Sequence, residues 1–349
     1  MTAAAASAPG IISRFVNVVL GIKPIFNVAK YQARTMMVKR AASIGIDWPG
    51  EVAALRSRQI HPQNHPQIAT SLSAMAATPL HPDWETELAA LRNDRLVYPD
   101  YYLNPFHAYD EGNMGWVPAL EVDVAAKTVH AKIWPEAGVQ GDAQLRQSYH
   151  DVLKTALPQP PTDILDVGCS VGLSTMGLRS LYPRSNCTGV DLSPYFLTVA
   201  QYRERQLQPH QQQQQQDQQH QPDITPHAIR WVHAAGEDTG LEAATFDLAS
   251  IHLVMHELPA SVTKAMLVEM RRLLRPGGHV AIMDMNPKSE AYTKMPPYVL
   301  TLLKSTEPFL DEYFGLDLEQ TIYDAGFNYP TVRATSPRHR TLVAQVRAR

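Results

Sequence analysis

The stretch Asp163-Ile164-Leu165-Asp166-Val167-Gly168-Cys169-Ser170-Val171-Gly172-Leu173-Ser174-Thr175 narrows the fold more than any other part of the chain. Ile164, Leu165 and Val167 form the short apolar run of a strand covered on both faces. Gly168 and Gly172 supply a turn in which the backbone can take positive φ and approach closely, where side chains would block it. Leu173 opens a helix whose first N–H groups are free to meet a ligand. Asp166, near the end of the strand, is expected to point a carboxylate into the same crevice.

Strand and helix signals alternate downstream of this corner. Ser193 caps a helix with Pro194 at its first position, running to about Leu207. Ile229 to Val232, Phe246 to Leu253 and His279 to Met285 read as strands. Ser261 to Leu274 is a helix with Val262, Ala265, Met266, Met270 and Leu273 at apolar positions. Arg275-Pro276-Gly277-Gly278 closes it, with glycine as the expected left-handed cap. Asp317 to Ala325 is a helix closed by Gly326, and Thr331–Ala334 and Arg340–Val346 read as a final hairpin. The alternation predicts βαβ units and a parallel sheet. Upstream, Asp83 to Leu96 and one or two segments within 118–157 read as helices, with Pro158-Gln159-Pro160-Pro161 a stiff lead-in to the corner strand. The run from Tyr98 to Trp116 is dense in aromatics and has no period; it fits a loop lining a ligand site as well as one that only anchors itself to the core.

Apolar content of 44% and charge of 19% are those of a globular chain. Net charge is −3; residues 1–46 carry +6 and no acid, so −3 minus +6 leaves −9 for residues 47–349. Without a general basic field, nucleic acid is not an expected partner. Two cysteines, Cys169 and Cys187, are too few for a disulfide scaffold or a zinc site and suit a reducing compartment. No run is long enough to span a membrane; Phe15 to Ile22 is cut short by Lys23-Pro24. The acid-free start has the composition of an organelle transit peptide. Read otherwise, residues 1–15 are a disordered tail, and a basic amphipathic helix follows that packs on its own domain or makes peripheral contact with an anionic membrane. The tract 208–222, with six glutamines at 211–216, is expected to be a disordered insertion at a surface loop.

The Asp-x-Gly-x-x-x-Gly spacing differs from the Gly-x-Gly-x-x-Gly of dinucleotide sites. Three features sharpen the reading. Asp191, 25 residues after Asp166, ends a strand where a carboxylate can take both ribose hydroxyls. Gly236-Glu237-Asp238 follows the third strand, within reach of an adenine amino group, and Arg275-Pro276-Gly277-Gly278 precedes the fifth. With Phe246-Asp247-Leu248, these motifs resemble the class I S-adenosylmethionine-dependent methyltransferases, in particular the ubiquinone/menaquinone-biosynthesis C-methyltransferases and their plant and algal plastid-type relatives. The resemblance covers roughly residues 145–348. It implies an α/β, Rossmann-like, seven-stranded, mostly parallel sheet with helices on both faces. That domain would span 143–349, preceded by a mainly helical extension over 16–142 with 98–116 as lid, and would carry a substrate-side insertion at 286–316. It implies S-adenosylmethionine as cofactor and a chloroplast address, with the cytoplasm as alternative. Asp166, Gly168, Cys169, Ser170 and Gly172 would shape the cofactor turn, Asp191 and Leu192 the ribose side, Glu237 or Asp238 the adenine side, and Ile251 and His252 the sulfonium side. Ser170 stands where the family has glycine, and Ala235 where it has an acid.

Methyl transfer from a sulfonium needs alignment and exclusion of water; a base is needed only if the acceptor must lose a proton. His256 and Glu257, after the fourth strand, are the expected catalytic pair, His256 as base on its ordinary pKa. His252 and His256 lack a third ligand, so no metal is expected. Asp284 ends the fifth strand and reads as structural or as a cleft wall. Tyr101, Tyr102, His107 and Tyr109 are expected to close over cofactor and acceptor. The functional expectation is methyl transfer to a small-molecule acceptor, quinone-like or another ring compound. The competing expectation is a non-catalytic cofactor- or partner-binding module on the same fold.

Overall fold

The computed structural model describes residues 34–59, 71–105, 109–217 and 227–348. The expected transit segment and His107 lie outside them.

Seven strands form one sheet: β1 (Asp163–Val167), β2 (Asn186–Asp191), β3 (Arg230–His233), β4 (Phe246–His252), β5 (Leu274–Met285), β6 (Thr331–Ala334) and β7 (His339–Gln345). Their order is β3-β2-β1-β4-β5-β7-β6. β1 to β5 pair in parallel, and β7 runs antiparallel to both β5 and β6. The chain moves outward from β1 through β2 to β3, then returns to β4 on the other side of β1. That reversal opens a crevice at the carboxyl ends of β1 and β4, where open α/β sheets bind ligands.

The described helices are α1 (Trp48–Ser57), α2 (Leu72–Ala77), α3 (Asp83–Leu91), α4 (Trp116–His130), α5 (Gly141–Ala156), α6 (Leu173–Leu181), α7 (Pro194–Asp217), α8 (Ala260–Leu273), α9 (Glu290–Thr293), α10 (Pro297–Thr306), α11 (Leu310–Gly315) and α12 (Leu318–Asp324), and residues 34–43 are helical too. Strand alternation sorts the core into two faces. Leu165, Val167, Ala249, Ile251, Val280 and Ile282 pack with Met266 and Met270 of α8. Their neighbours Ile164, Leu248, Ala281 and Met283 pack with Leu145, Tyr149 and Leu153 of α5.

A third core ties the extension to the sheet domain. Trp48 and Val52 of α1, Met75 of α2, Trp84 of α3 and Leu120 of α4 meet Val171 of the glycine corner and Phe196, Val199 and Tyr202 of α7. Arg58 is sandwiched there, its guanidinium carbon 4.0 Å from the Trp84 ring centre and 4.7 Å from that of Tyr202. Glu87 holds the same guanidinium at 3.0 and 2.7 Å. Trp84 is fully buried. Trp84→Ala is therefore expected to cost about 3–5 kcal/mol in denaturant unfolding, from the cavity and the lost cation–π contact.

Several boundaries differ from expectation. α3 stops at Leu91 rather than Leu96. α7 runs past Leu207 through the glutamine tract to Asp217; glutamine is a good helix former, so the helix continues where a disordered insertion was expected. Residues 218–226 lie outside the description. α8 ends at Leu273 with Leu274 extended. Gly277, at φ +82°, is not its cap; it belongs to the segment where the β4–β5 register shifts between Phe246 and Leu248. The domain boundary drawn at 143 falls within the first turn of α5. Among the described residues no helix is long and apolar enough to cross a membrane.

Candidate active site

The corner between β1 and α6 is stitched to β2 by backbone. The N–H groups of Gly168 and Cys169 both donate to the Val190 carbonyl, at 2.8 and 3.1 Å. Gly168 has φ +68°, and a Cβ there would lie 2.5 Å from Val254 Cγ2, so no side chain fits. Ser170 takes φ +50°, a left-handed conformation unusual for a residue with a side chain, which explains the glycine of the resembling family. Its N–H donates to Asp191 Oδ2 at 2.8 Å. Asp191 Oδ1 accepts the Ser193 N–H at 2.8 Å and lies 3.5 Å from the Tyr102 hydroxyl. Asp191 thus braces the corner, and its two oxygens offer about four acceptor sites in all. Burial pushes its pKa up to about 6.

Asp166 is 1% exposed, and one oxygen accepts both the Ser174 and Thr175 hydroxyls at 2.6 Å, tying β1 to the first turn of α6. Ile251 is fully buried in the core. Cys169 and Cys187 are free and buried, and burial raises both thiols so that they stay neutral.

Among the described residues, the buried polar atoms without a hydrogen-bond partner include Asp166 Oδ1, Ser170 Oγ, Glu237 Oε2 and His252 Nε2 along this edge. Folded proteins leave few such atoms unpaired. They lie at the ends of β1 and β4, in the corner, and in the turn after β3. A ligand with an amino-acid head, a ribose and a base, laid along β1, β2 and β3, would pair with such atoms. The residues therefore fit S-adenosylmethionine: Ser170 and Asp166 could meet it at the corner, Asp191 at the ribose and Glu237 at the base.

The aromatic run crosses this edge. The Tyr101 hydroxyl donates to Glu237 Oε1 at 2.8 Å. Tyr98 meets His233 Nε2 at 3.0 Å, and the Asn93 N–H donates to His233 Nδ1 at 2.8 Å. His233 thus carries its proton on Nε2, 3.0 Å from the Leu192 carbonyl, and fastens the run to the end of β3. Burial lowers its pKa and keeps it neutral. No sequence signal marked His233. Asp238 is exposed and bridges back to Ala235, so Glu237 is the acid that meets the run. Tyr109 is not brought to these acids; its hydroxyl donates to Glu121 at 2.8 Å, and Glu121 also pairs with Arg34.

On the far side of β4, His256 Nδ1 lies 2.7 Å from Asp284 Oδ1, and the His256 N–H donates to Asp284 Oδ2 at 3.3 Å. Asp284 is fully buried at the end of β5. Burial alone would lower the imidazole pKa, but the Asp284 carboxylate more than reverses this and raises it to about 10. At neutral pH His256 is therefore an imidazolium. Expected as a base, His256 is held by Asp284 as a hydrogen-bond donor, with Nε2–H directed away from Asp284 by ring geometry. Asp284, expected to be structural or a cleft wall, is its partner. Tyr313 of α11 stands 6.4 Å from the His256 ring, which brings the 286–316 segment to this side of the crevice. Glu257 shares the short turn Met255–Glu257 with His256. Among the described residues no group of three or more metal-binding side chains occurs.

Residues 165–282 match the family model of the methyltransferase domain. Among curated proteins, none matches the sequence. Among solved structures, the chain is similar to a SAM-dependent methyltransferase from Aquifex aeolicus, with 16% identity over 58% of this chain and 91% of that one, at a TM-score of 0.43. It is similar also to phosphoethanolamine N-methyltransferase 2 of Haemonchus contortus, with 14% identity over 58% of this chain and 52% of that one, at 0.42. A third similarity is to geranyl diphosphate C-methyltransferase of Streptomyces coelicolor, with 14% identity over 60% of this chain and 77% of that one, at 0.43. The matched residues hold the glycine corner, Asp191 and most of the parallel sheet, and they match a methyltransferase domain.

Proposed function

We propose that this methyltransferase acts on a small ring-bearing acceptor, quinone-like or phenolic, seated between the glycine corner and the 286–316 segment. The observation that carries the reading is the buried His256–Asp284 pair at 2.7 Å, set at the same sheet edge as the cofactor corner. Bound S-adenosylmethionine supplies an already activated methyl group. The chain's task is then alignment and exclusion of water. Asp191 and the Gly168–Gly172 corner orient the cofactor. His256, held protonated, donates to an acceptor oxygen and favours its anionic form, so an ionisable ring hydroxyl suits it better than an amine. Tyr292, Tyr313 and Phe314 supply an aromatic wall, with ring centres 5.3 Å apart for Tyr292–Phe314 and 6.1 Å for Tyr313–Phe314.

The relation to quinone-biosynthesis C-methyltransferases, the chloroplast address and membrane contact through the basic N-terminal segment belong to the same proposal. They rest on the motifs and on the acid-free start. The test is incubation with methyl-labelled S-adenosylmethionine and metabolite extract, followed by identification of labelled products. A labelled ring compound with an ionisable hydroxyl is expected. Label confined to protein, or absent with every extract while the cofactor binds, would instead favour a non-catalytic binding module.

A further inference from the structure

The cofactor corner is completed by a residue from outside the matched domain. In the order β3-β2-β1 the ribose acid Asp191 ends β2, so the base of a bound nucleoside falls beside the end of β3. The turn there, 234–238, is tightly fixed. A Cβ on Gly236 would lie 2.8 Å from Val167 Cγ1 and 2.5 Å from the methyl carbon of Met266, so this turn presses against β1 and α8. Ala234 and Ala235 carry no polar side chain, and Asp238 is exposed. Among the side chains of this turn, Glu237 offers a buried acceptor. One of its oxygens takes the Tyr101 hydroxyl at 2.8 Å; the other is buried and has no partner. Adenine presents one exocyclic amino group that needs such an acceptor.

We propose that Tyr101, supplied by the N-terminal extension, is a positioning residue for adenine recognition: its hydroxyl holds one oxygen of Glu237 so that the other accepts the amino group of the cofactor's base. The inference rests on the reading that S-adenosylmethionine lies along β1, β2 and β3. Tyr101 is suited to this role. Burial and the adjacent carboxylate raise its pKa, so it stays a donor across the working range. It is itself packed against the main core, and Tyr98 and His233 fix the segment three residues away.

S-adenosylhomocysteine and S-inosylhomocysteine, whose base carries a carbonyl in place of the amino group, separate this role from simple packing. Calorimetry on the full chain is expected to show wild-type protein preferring the adenosyl ligand by roughly tenfold or more, the worth of one hydrogen bond to a charged group. Tyr101→Phe is expected to lose about tenfold in adenosyl affinity and most of the preference. Glu237→Gln, which keeps size and can present either an acceptor or a donor, is expected to lose the preference as well and covers the case of a misfolded Tyr101→Phe. Unchanged preference in both variants would overturn the proposal. Tighter adenosyl binding by Tyr101→Phe would also overturn it, making the Tyr101–Glu237 bond a competitor of the cofactor. Absence of binding by folded wild-type protein would instead sink the underlying cofactor reading.

Discussion

Asp191→Ala is expected to weaken S-adenosylhomocysteine binding by at least about a hundredfold, because one carboxylate does two jobs. In the proposed site it offers acceptors to the ribose, and it holds the corner itself through the Ser170 and Ser193 N–H groups, each at 2.8 Å. Hydrogen bonds to a charged group contribute about 1.5–3 kcal/mol each, so the loss of two ribose contacts alone reaches that figure. Losing the brace on Ser170 adds to it, since that residue sits at φ +50° with no other fixed partner for its N–H. Asp191→Asn is expected to be milder, keeping one acceptor oxygen. The raised pKa of about 6 gives a second signature: wild-type affinity should fall as pH drops below 6, where the carboxylate takes up a proton. Titration calorimetry between pH 5 and 8 reads both effects.

Asp284→Asn should be the second large change. Removing one partner of a buried ion pair costs about 3–5 kcal/mol, because the other charge is left uncompensated. The pH dependence tests the pairing. In the folded protein His256 has a pKa of about 10, above the ordinary value near 6.5 of an unfolded chain. Its stabilisation is therefore fully present below pH 6.5 and is lost as pH rises through about 10. Wild-type unfolding free energy should carry this downward slope between pH 7 and 10. In Asp284→Asn burial, which lowers the imidazole pKa, is opposed only by the more distant Glu257 and Glu307, and the slope should shrink sharply. Urea unfolding at pH 6, 8 and 10, with the imidazole followed by proton NMR, measures both. An unchanged slope would show that Asp284 does not hold the proton on His256.

The sequence made the sheet legible because its signals are local. Ile164, Leu165 and Val167 announce a buried strand, and the spacing of Gly168 and Gly172 announces a turn into a helix. Asp191 followed from counting along βαβ units, and the helix beginning at Asp317 from the Gly326 that closes it; that Asp317 caps α12 by accepting the Gln320 N–H at 3.0 Å is seen only in the fold. What escaped notice depends on partners far apart in the chain. Asp284 read as structural or a wall, and only the fold sets it 2.7 Å from His256. Tyr101 meets Glu237 across 136 positions, and Tyr98 meets His233 across 135. No periodicity encodes such pairs. Tyr109 belongs to the same aromatic run but was captured by Glu121, because α4 passes closer to it than the crevice acids do. The Gln tract misled for a different reason: low complexity suggested disorder, while helix propensity let α7 continue to Asp217.

The central claim is that the corner from Asp166 to Gly172, with Asp191 and Glu237, holds S-adenosylmethionine. Calorimetric titration of the folded full-length chain with S-adenosylhomocysteine tests it most directly. One ligand per chain, with affinity lost in Asp191→Ala, is the predicted result. No heat of binding from protein whose near-ultraviolet circular dichroism shows intact packing, or binding that Asp191→Ala leaves unchanged, would contradict it.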